Sequence, residues 1–352
     1  LAAEEYERAL RLRRKIGAKA PNGHDELELL ERAAQAAAGI GSTRSIDLIK
    51  SALQLVDADK DPVKAGLLRE RLGRYRWHAA DGAGALEDYE QAVALVPAQP
   101  PSSARARVAA GLAQLLMIHA RFRESEPWCE EAAEMARAVG DRAIEAHATN
   151  TMGMNMAYLG DPERGLAMLR SSKDIAEEIG SAEDVGRALV NIVDVLRVWG
   201  RLAEAAQLGR DAFQFQREHG LTAIYGVAGL VYAASSLHGL ARWTEARALV
   251  DEARRHPADV NDQIMCLAIG AVIEACQGDL ALAESHMEMA RPLLANVIDT
   301  QLLMPHAEAA AETALQMAKP HLAVQVVGDA IARAQRPVGA NVALFWPVYW
   351  IG

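Results

Sequence analysis

Leu72-Gly73-Arg74-Tyr75-Arg76-Trp77-His78-Ala79-Ala80-Asp81-Gly82-Ala83-Gly84-Ala85-Leu86-Glu87-Asp88-Tyr89-Glu90-Gln91-Ala92-Val93-Ala94-Leu95-Val96-Pro97 is the stretch whose reading decides the fold. Leu72-Gly73, the small Ala85, the aromatic Tyr89, Ala92 and the closing Pro97 fall at the offsets of a helix-turn-helix hairpin, with Asp81-Gly82 as the turn.

The hairpin repeats with a period of about 40 residues. Moving by that step carries Ala85 through Ser45, Ser125, Gly165, Ala205, Ala246, Ala283 and Ala323, and carries Ala92 through Ala52, Ala132, Ser172, Ala212, Ala253, Ala290 and Ala330. All sixteen positions are small. A small side chain on the second helix lets two antiparallel helices approach to the lower end of the usual 8 to 10 Å range. Turn signals share one phase within the units: Gly160-Asp161-Pro162, Gly200-Arg201, Gly278-Asp279 and Lys319-Pro320. Asp161, Pro162 and Glu163 supply a cap, a proline at the first helical position and an acid in the first turn. Between units the breaks are Pro97 to Pro101, Gly140-Asp141, Gly180-Ser181, Gly220 and His256-Pro257.

The expected architecture is all-α: a right-handed α-solenoid of eight hairpins over roughly residues 25 to 335, advancing about 10 Å per hairpin and so roughly 80 Å in all. Residues 1 to 352 read as one array cut mid-repeat at both ends. Ala2, Tyr6 and Ala9 have the spacing of a second helix without its first, and Ile351-Gly352 arrives where the next Leu-Gly falls. Phe345, Trp346, Tyr349 and Trp350 crowd the C-terminus where a solenoid needs a polar cap. Contacts to neighbouring domains are therefore expected at both chain ends.

Composition agrees and excludes much else. The chain is 51% apolar and 24% charged, which argues against disorder, and it has 70 alanines with only 5% aromatics, which argues against an all-β fold. Net charge is −10 and no basic block is segregated, so nucleic acid is not an expected direct ligand. Cys129, Cys266 and Cys276 have no metal-ligand spacing and suggest a reducing, cytoplasmic setting. His219 to Ala241 lacks Asp, Glu, Lys and Arg and is long enough to span a bilayer. It contains Gly220, Gly226, Gly229, Ser235, Ser236 and Gly239 and lies inside the repeat, so it reads as a buried helix and no membrane span is expected.

The units resemble tetratricopeptide repeats over nearly the whole chain. They differ in the longer period, and in having Arg69, Thr149 or Leu189 where that pattern has Trp and Arg76, Leu116, Met156 or Leu196 where it has Tyr. Leu68-Arg69-Glu70-Arg71-Leu72-Gly73-Arg74-Tyr75, Asp161-Pro162-Glu163-Arg164-Gly165-Leu166 and Ala188 to Leu196 followed by Gly200-Arg201 are similar to the sensor region of large ATP-dependent LuxR-type bacterial transcriptional regulators, relatives of the maltose-regulon activator. The resemblance implies a non-catalytic, ligand-sensing and protein-interaction domain. The nucleotide-binding and DNA-binding modules of that family have no counterpart within these residues, since no GxxxxGK[ST] loop and no terminal DNA-binding helix pair occurs. The alternative is a free-standing cytoplasmic peptide-binding receptor or scaffold. An α-helical enzyme ranks below both.

Nothing in the sequence signals catalysis, a metal or a cofactor: HExxH, GxSxG and paired cysteine ligands are absent. Glu130-Glu131-Glu134 and Glu177-Glu178 read as solvated helix faces beside Arg137 and Lys173. Met152, Met154 and Met156 suit either core packing or an adaptable surface. Trp77, Trp128, Trp199 and Trp243 read as wedges between hairpins. The expected ligand or partner groove lies on the first helices of the central units, at Asn150, Met154 and Tyr158, then Arg187, Asn191, Asp194 and Arg197, then Ser235 and His238. One helical face there offers an amide, a carboxylate and two guanidinium groups, suited to a peptide, a protein segment or a small polar effector. The competing reading of the same residues is an inter-helix network that fixes the stacking of units.

Overall fold

The computed structural model describes residues 2–16, 26–39, 42–222, 227–256, 260–295, 297 and 299–335, and these form 17 α-helices with no strand among them. α1 (Ala2–Ile16) precedes eight hairpins. They are α2 (Glu26–Ala38) with α3 (Arg44–Leu53), α4 (Pro62–His78) with α5 (Gly82–Leu95), α6 (Ser103–Ile118) with α7 (Phe122–Val139) and α8 (Arg142–Tyr158) with α9 (Pro162–Glu178). Then come α10 (Ala182–Val198) with α11 (Leu202–Glu218), α12 (Val227–Gly239) with α13 (Trp243–Ala253), α14 (Val260–Cys276) with α15 (Leu280–Leu293) and α16 (Thr300–Gln316) with α17 (Pro320–Gln335). The chain is an all-α solenoid of tetratricopeptide-like units. Gly226, Pro257 and the C-terminal Phe345, Trp346, Tyr349, Trp350 and Ile351-Gly352 lie outside the described residues.

The small positions do what close approach requires. All sixteen are buried in the seams between helices. At Gly165 a Cβ would stand 2.6 Å from the carbonyl oxygen of Gly153 and 2.8 Å from the Cβ of Ala157, so α8 and α9 touch backbone to backbone. Buried hydroxyls at two small positions return their hydrogen bonds to the partner helix: Ser125 donates to the carbonyl of Ala113 at 2.7 Å and Ser172 to that of Ala146 at 2.8 Å.

Helix ends follow local chemistry. Asp61, Asp81, Ser102, Asp141, Asp161, Ser181 and Asp279 each accept a backbone N–H three residues on. The turn between the helices of a unit needs one left-handed residue, and in the second hairpin it is Ala80, with φ 60°, where the sequence points to Gly82. Gly82 instead opens α5. The same place is taken by Ala120, Gly160, Gly200, Ala241, Gly278 and Ala318. Each is followed by an N–H that closes back on a carbonyl five residues earlier, as from Asp81 to Arg76 at 2.9 Å and from Arg201 to Leu196 at 2.8 Å.

First helices α4, α6, α8, α10, α12, α14 and α16 pack on one another in succession, while each second helix packs on the first helices of its own unit and of the next. The first helices thus form the inner layer. This explains why α6 and α14 are buried nearly all round, with apolar residues on every face, whereas second helices are apolar on one side only.

The array also returns on itself, a contact that no local spacing signals. Units two and three come back against units seven and eight, which an array advancing in a straight line would hold tens of ångströms apart. Trp77 Nε1 donates to the Asp299 carboxylate at 3.1 Å, and the other oxygen of Asp299 lies 2.6 Å from His119 Nε2. Asn261 donates to the carbonyl of Trp77 at 3.3 Å, and Thr300 to that of Ile118 at 3.4 Å. Ala80 joins the apolar cluster of α14 and α16. Trp77 and Trp128 pack within the array, whereas Trp199 and Trp243 are 43% and 38% exposed.

Candidate ligand groove on the inner face

Helices α8 and α10 lie side by side in the inner layer, and three polar rungs join them. Arg187 donates through Nη2 to the carbonyl of His147 at 3.3 Å. One turn along, the amide of Asn191 donates to Asn150 Oδ1 at 2.5 Å. Farther on, the Tyr158 hydroxyl donates to Asp194 Oδ2 at 2.5 Å while Arg197 Nη2 donates to Asp194 Oδ1 at 2.8 Å. The Arg197 guanidinium also lies over the Tyr232 ring of α12, 5.3 Å from its centroid.

The structure therefore brings together Asn150, Tyr158, Arg187, Asn191, Asp194 and Arg197. Their positions are not equivalent. Asn150 is fully buried, Asp194, Arg187 and Tyr158 nearly so, and Asn191 and Arg197 are half-buried. Met154 sits in the core with Phe122, Leu166, Leu169 and Val193, and the rings of Phe122 and Tyr158 stack at 5.2 Å. Met152 and Met156 are half-buried. Ser235 is half-buried on α12, and His238, one turn on, has Cys276 of α14 as its neighbour at 3.5 Å, so these two extend the wall without joining the α8–α10 rungs.

Electrostatics on this wall is dominated by burial beside fixed charge. Burial, then Arg187, Arg74 and Arg107, hold the His147 imidazole well below its ordinary pKa and keep it neutral. Burial and the adjacent Asp194 carboxylate raise Tyr158 well above the phenolic range, which keeps its hydroxyl a donor. Burial pushes Glu308 of α16 upward against the opposing pull of Arg197, so the eighth unit borders the same space.

Sequence reasoning missed His147 and Arg74. Arg107, His147 and Arg187 are each 40 residues apart, one per unit at the same phase, and that ladder is visible in the sequence. The contact of Trp77 and His119 with Asp299 left no such trace. Glu131 departs from the solvated-face reading: it pairs at 2.5 Å with Arg105, which is buried and also donates to the carbonyls of Val93 and Val96. Lys173 and Glu177 pair at 2.6 Å as that reading expects. Among the described residues no group of three or more His, Cys, Asp or Glu could hold a metal ion, and no helix is long and apolar enough to cross a membrane.

No protein-family model and no curated protein matches the chain. Solved structures do match its fold. A Rap protein in complex with competence and sporulation factor superposes with a TM-score of 0.67 at 14% identity, covering 95% of this chain and 97% of the other. The apo form of RapI gives 0.56 at 12% identity over 77% and 97%. A signal-transduction ATPase with a tetratricopeptide repeat sensor from Pyrococcus horikoshii gives 0.51 at 14% identity, covering 95% of this chain and 52% of that one. At such identities the similarity establishes the fold alone.

Proposed function

We propose that the chain is a non-catalytic, ligand-sensing repeat domain that takes a peptide or protein segment against its inner face and belongs to a bacterial signal-transduction regulator of the LuxR-type, ATP-dependent kind. The observation that carries this reading is the polar seam of α8 and α10. Amide and guanidinium groups occupy the inner layer of an otherwise apolar array, and several of their N–H groups have no acceptor among the described residues. Such donors suit the carbonyl groups of an extended chain. Asn150, Arg187, Asn191, Ser235 and His238 are the proposed contacts, and Tyr158, Asp194, Arg197 and Met154 hold the wall in place. Two similarities support it: a Rap protein of the same fold was solved with competence and sporulation factor bound, and a repeat sensor of the same fold belongs to a signal-transduction ATPase.

The second reading is a free-standing peptide-binding receptor, in keeping with the Rap protein of the same fold that was solved with competence and sporulation factor. The gene upstream of Leu1 discriminates them. A phosphate-binding loop there supports the regulator, and a nearby start codon supports the receptor. The binding claim is tested by thermal melting with a pool of pentapeptides: the midpoint should rise for the wild type and not for Asn191→Ala, and an unchanged wild-type midpoint overturns it.

A further inference from the structure

Each second helix before α17 has a side that the following unit covers, and the same positions make that contact along the array. In α11 they are Ala206, Gly209 and Phe213. A Cβ at Gly209 would stand 2.5 Å from the carbonyl oxygen of Gly229 and 2.9 Å from the Cβ of Ala233 on α12, and Ala206 and Phe213 are buried. In α5 the middle position is Tyr89, and Gly111 of α6 closes directly on its ring. In α13 the three are Arg247, Val250 and Arg254: Arg247 donates to Gln277 at 3.2 Å, Val250 is buried, and Arg254 lies 3.9 Å from Glu274 of α14. In α15 the first is Glu284, 3.8 Å from Lys319 at the turn of the eighth unit.

Helix α17 has the same side, and among the described residues no further unit lies on it. Its three positions are Val324, Val327 and Ile331. Val324 is 75% exposed, Val327 and Ile331 are half-buried, and a Cβ at the neighbouring Gly328 would meet nothing within 4 Å. The opposite side is fixed, since Ala323 and Ala330 are buried and Arg333 donates to the carbonyls of Leu294, Ala295 and Val297. A helix that ends a solenoid in water needs a polar outer side. Here two valines and an isoleucine stand where α13 has two arginines, so burying this side removes apolar surface from water without stranding a charge.

The occupant must then be apolar and uncharged. Residues 340–351, Ala-Asn-Val-Ala-Leu-Phe-Trp-Pro-Val-Tyr-Trp-Ile, contain no Asp, Glu, Lys, Arg or His. They follow α17 after Arg336 to Gly339, a longer connection than the Gly140-Asp141 that brings α8 back onto α7. So short a tether sets an effective concentration on the order of millimolar beside the helix, which favours this segment over a partner in solution.

We propose that residues 340–351 dock on the outer side of α17, with Val324, Val327 and Ile331 as the receiving surface, in the place that the first helix of the next unit takes at the earlier seams. The docking is independent of what the inner face binds.

The full chain tests this with a photoreactive benzophenone side chain in place of Gly328, where added bulk meets open space. After illumination the adducts are mapped by mass. The main product should join position 328 to residues 340–351 within one chain, in a species of monomer mass. Val324→Asp in the same chain puts an unpaired charge into the receiving surface and should lower that product severalfold; Val324→Lys should do the same, and Val324→Ile should leave it unchanged. Helical circular dichroism should stay at the wild-type level in all three, because Val324 touches the rest of the array so little.

Adducts that join two chains make this side a contact between copies and overturn the proposal. Adducts to any other region of the chain overturn it as well. Equal yields in Val324→Asp, Val324→Lys and wild type mean that the tether alone holds the segment nearby, which removes the docking surface. Reaction with water alone means that the outer side of α17 stands open in solution, and the proposal falls.

Discussion

Asp194 shows how one residue serves a wall without lining it. Its two carboxylate oxygens are taken by the Tyr158 hydroxyl and by Arg197, and the group is nearly buried. Removing the carboxylate strands a guanidinium and a phenol in the interior, so Asp194→Ala should cost about 3 kcal/mol of stability and Tyr158→Phe only about 1 kcal/mol, read by denaturant unfolding. Equal stability of Asp194→Ala and wild type would mean that the carboxylate is a ligand contact and not a brace. Titration belongs to this scale as well. His147 is held below its ordinary pKa, and His306 is lowered to about 4 by burial and then by Arg333. Between about pH 6.5 and 4 the unfolded chain takes up protons at these rings that the folded chain refuses, so stability falls as pH falls through that window. Double substitution of His147 and His306 by Asn should shrink the drop in melting temperature between pH 7 and pH 5 by on the order of 2 °C, and an unchanged drop assigns the effect to other groups.

At the scale of the element, the hairpin is specified by small residues more than by helix propensity. Gly165 and Gly153 let α8 and α9 meet at their backbones, and Gly209 stands in the same relation to Gly229 across α11 and α12. Gly165→Ala places a methyl 2.6 Å from a carbonyl oxygen that belongs to a packed helix and cannot swing aside. It should destabilise the protein by about 1 to 3 kcal/mol although alanine is the better helix former. Gly328 on α17 has nothing within 4 Å, so Gly328→Ala should instead stabilise by about 0.5 to 1 kcal/mol. Chemical denaturation of the pair checks the sign at each site. The period of small residues makes the hairpins legible in the sequence, because close packing leaves a mark in composition at every repeat. The turn residue at Ala80 is not legible there: a left-handed alanine carries no signal of its own and is held in place by the Asp81 to Arg76 hydrogen bond and by burial against α14 and α16.

At the scale of the whole molecule, the decisive feature is the return of the array onto itself. Asp299 ties Trp77 and His119, the ends of two inner helices in units two and three, to the start of α16. These are contacts between segments about 180 to 220 residues apart, and they fasten the array where it meets itself. Asp299→Ala takes the carboxylate away from both the Trp77 N–H and the His119 ring, and the array should relax outward. Small-angle scattering should then give a larger radius of gyration than the wild type at unchanged helical circular dichroism. An unchanged radius would show that apolar contacts around Ala80 hold the closure without Asp299.

Sequence alone determined the helical hairpin, its 40-residue period, the phase of its small seams and the first-helix face on which the polar residues fall, because each depends on spacing within one or two units. The place of Arg187, Asn191 and Asp194 on the inner helix α10 was legible in this way. Their division of labour was not, since it depends on which atoms meet a partner across α8 and α10. Tertiary structure alone decided that Met154 and Tyr158 turn into the core, that Arg187 stays buried with nitrogens unmatched, and that Asp299 closes the superhelix. Curvature accumulates from small angles at every interface, and no local pattern of residues records their sum.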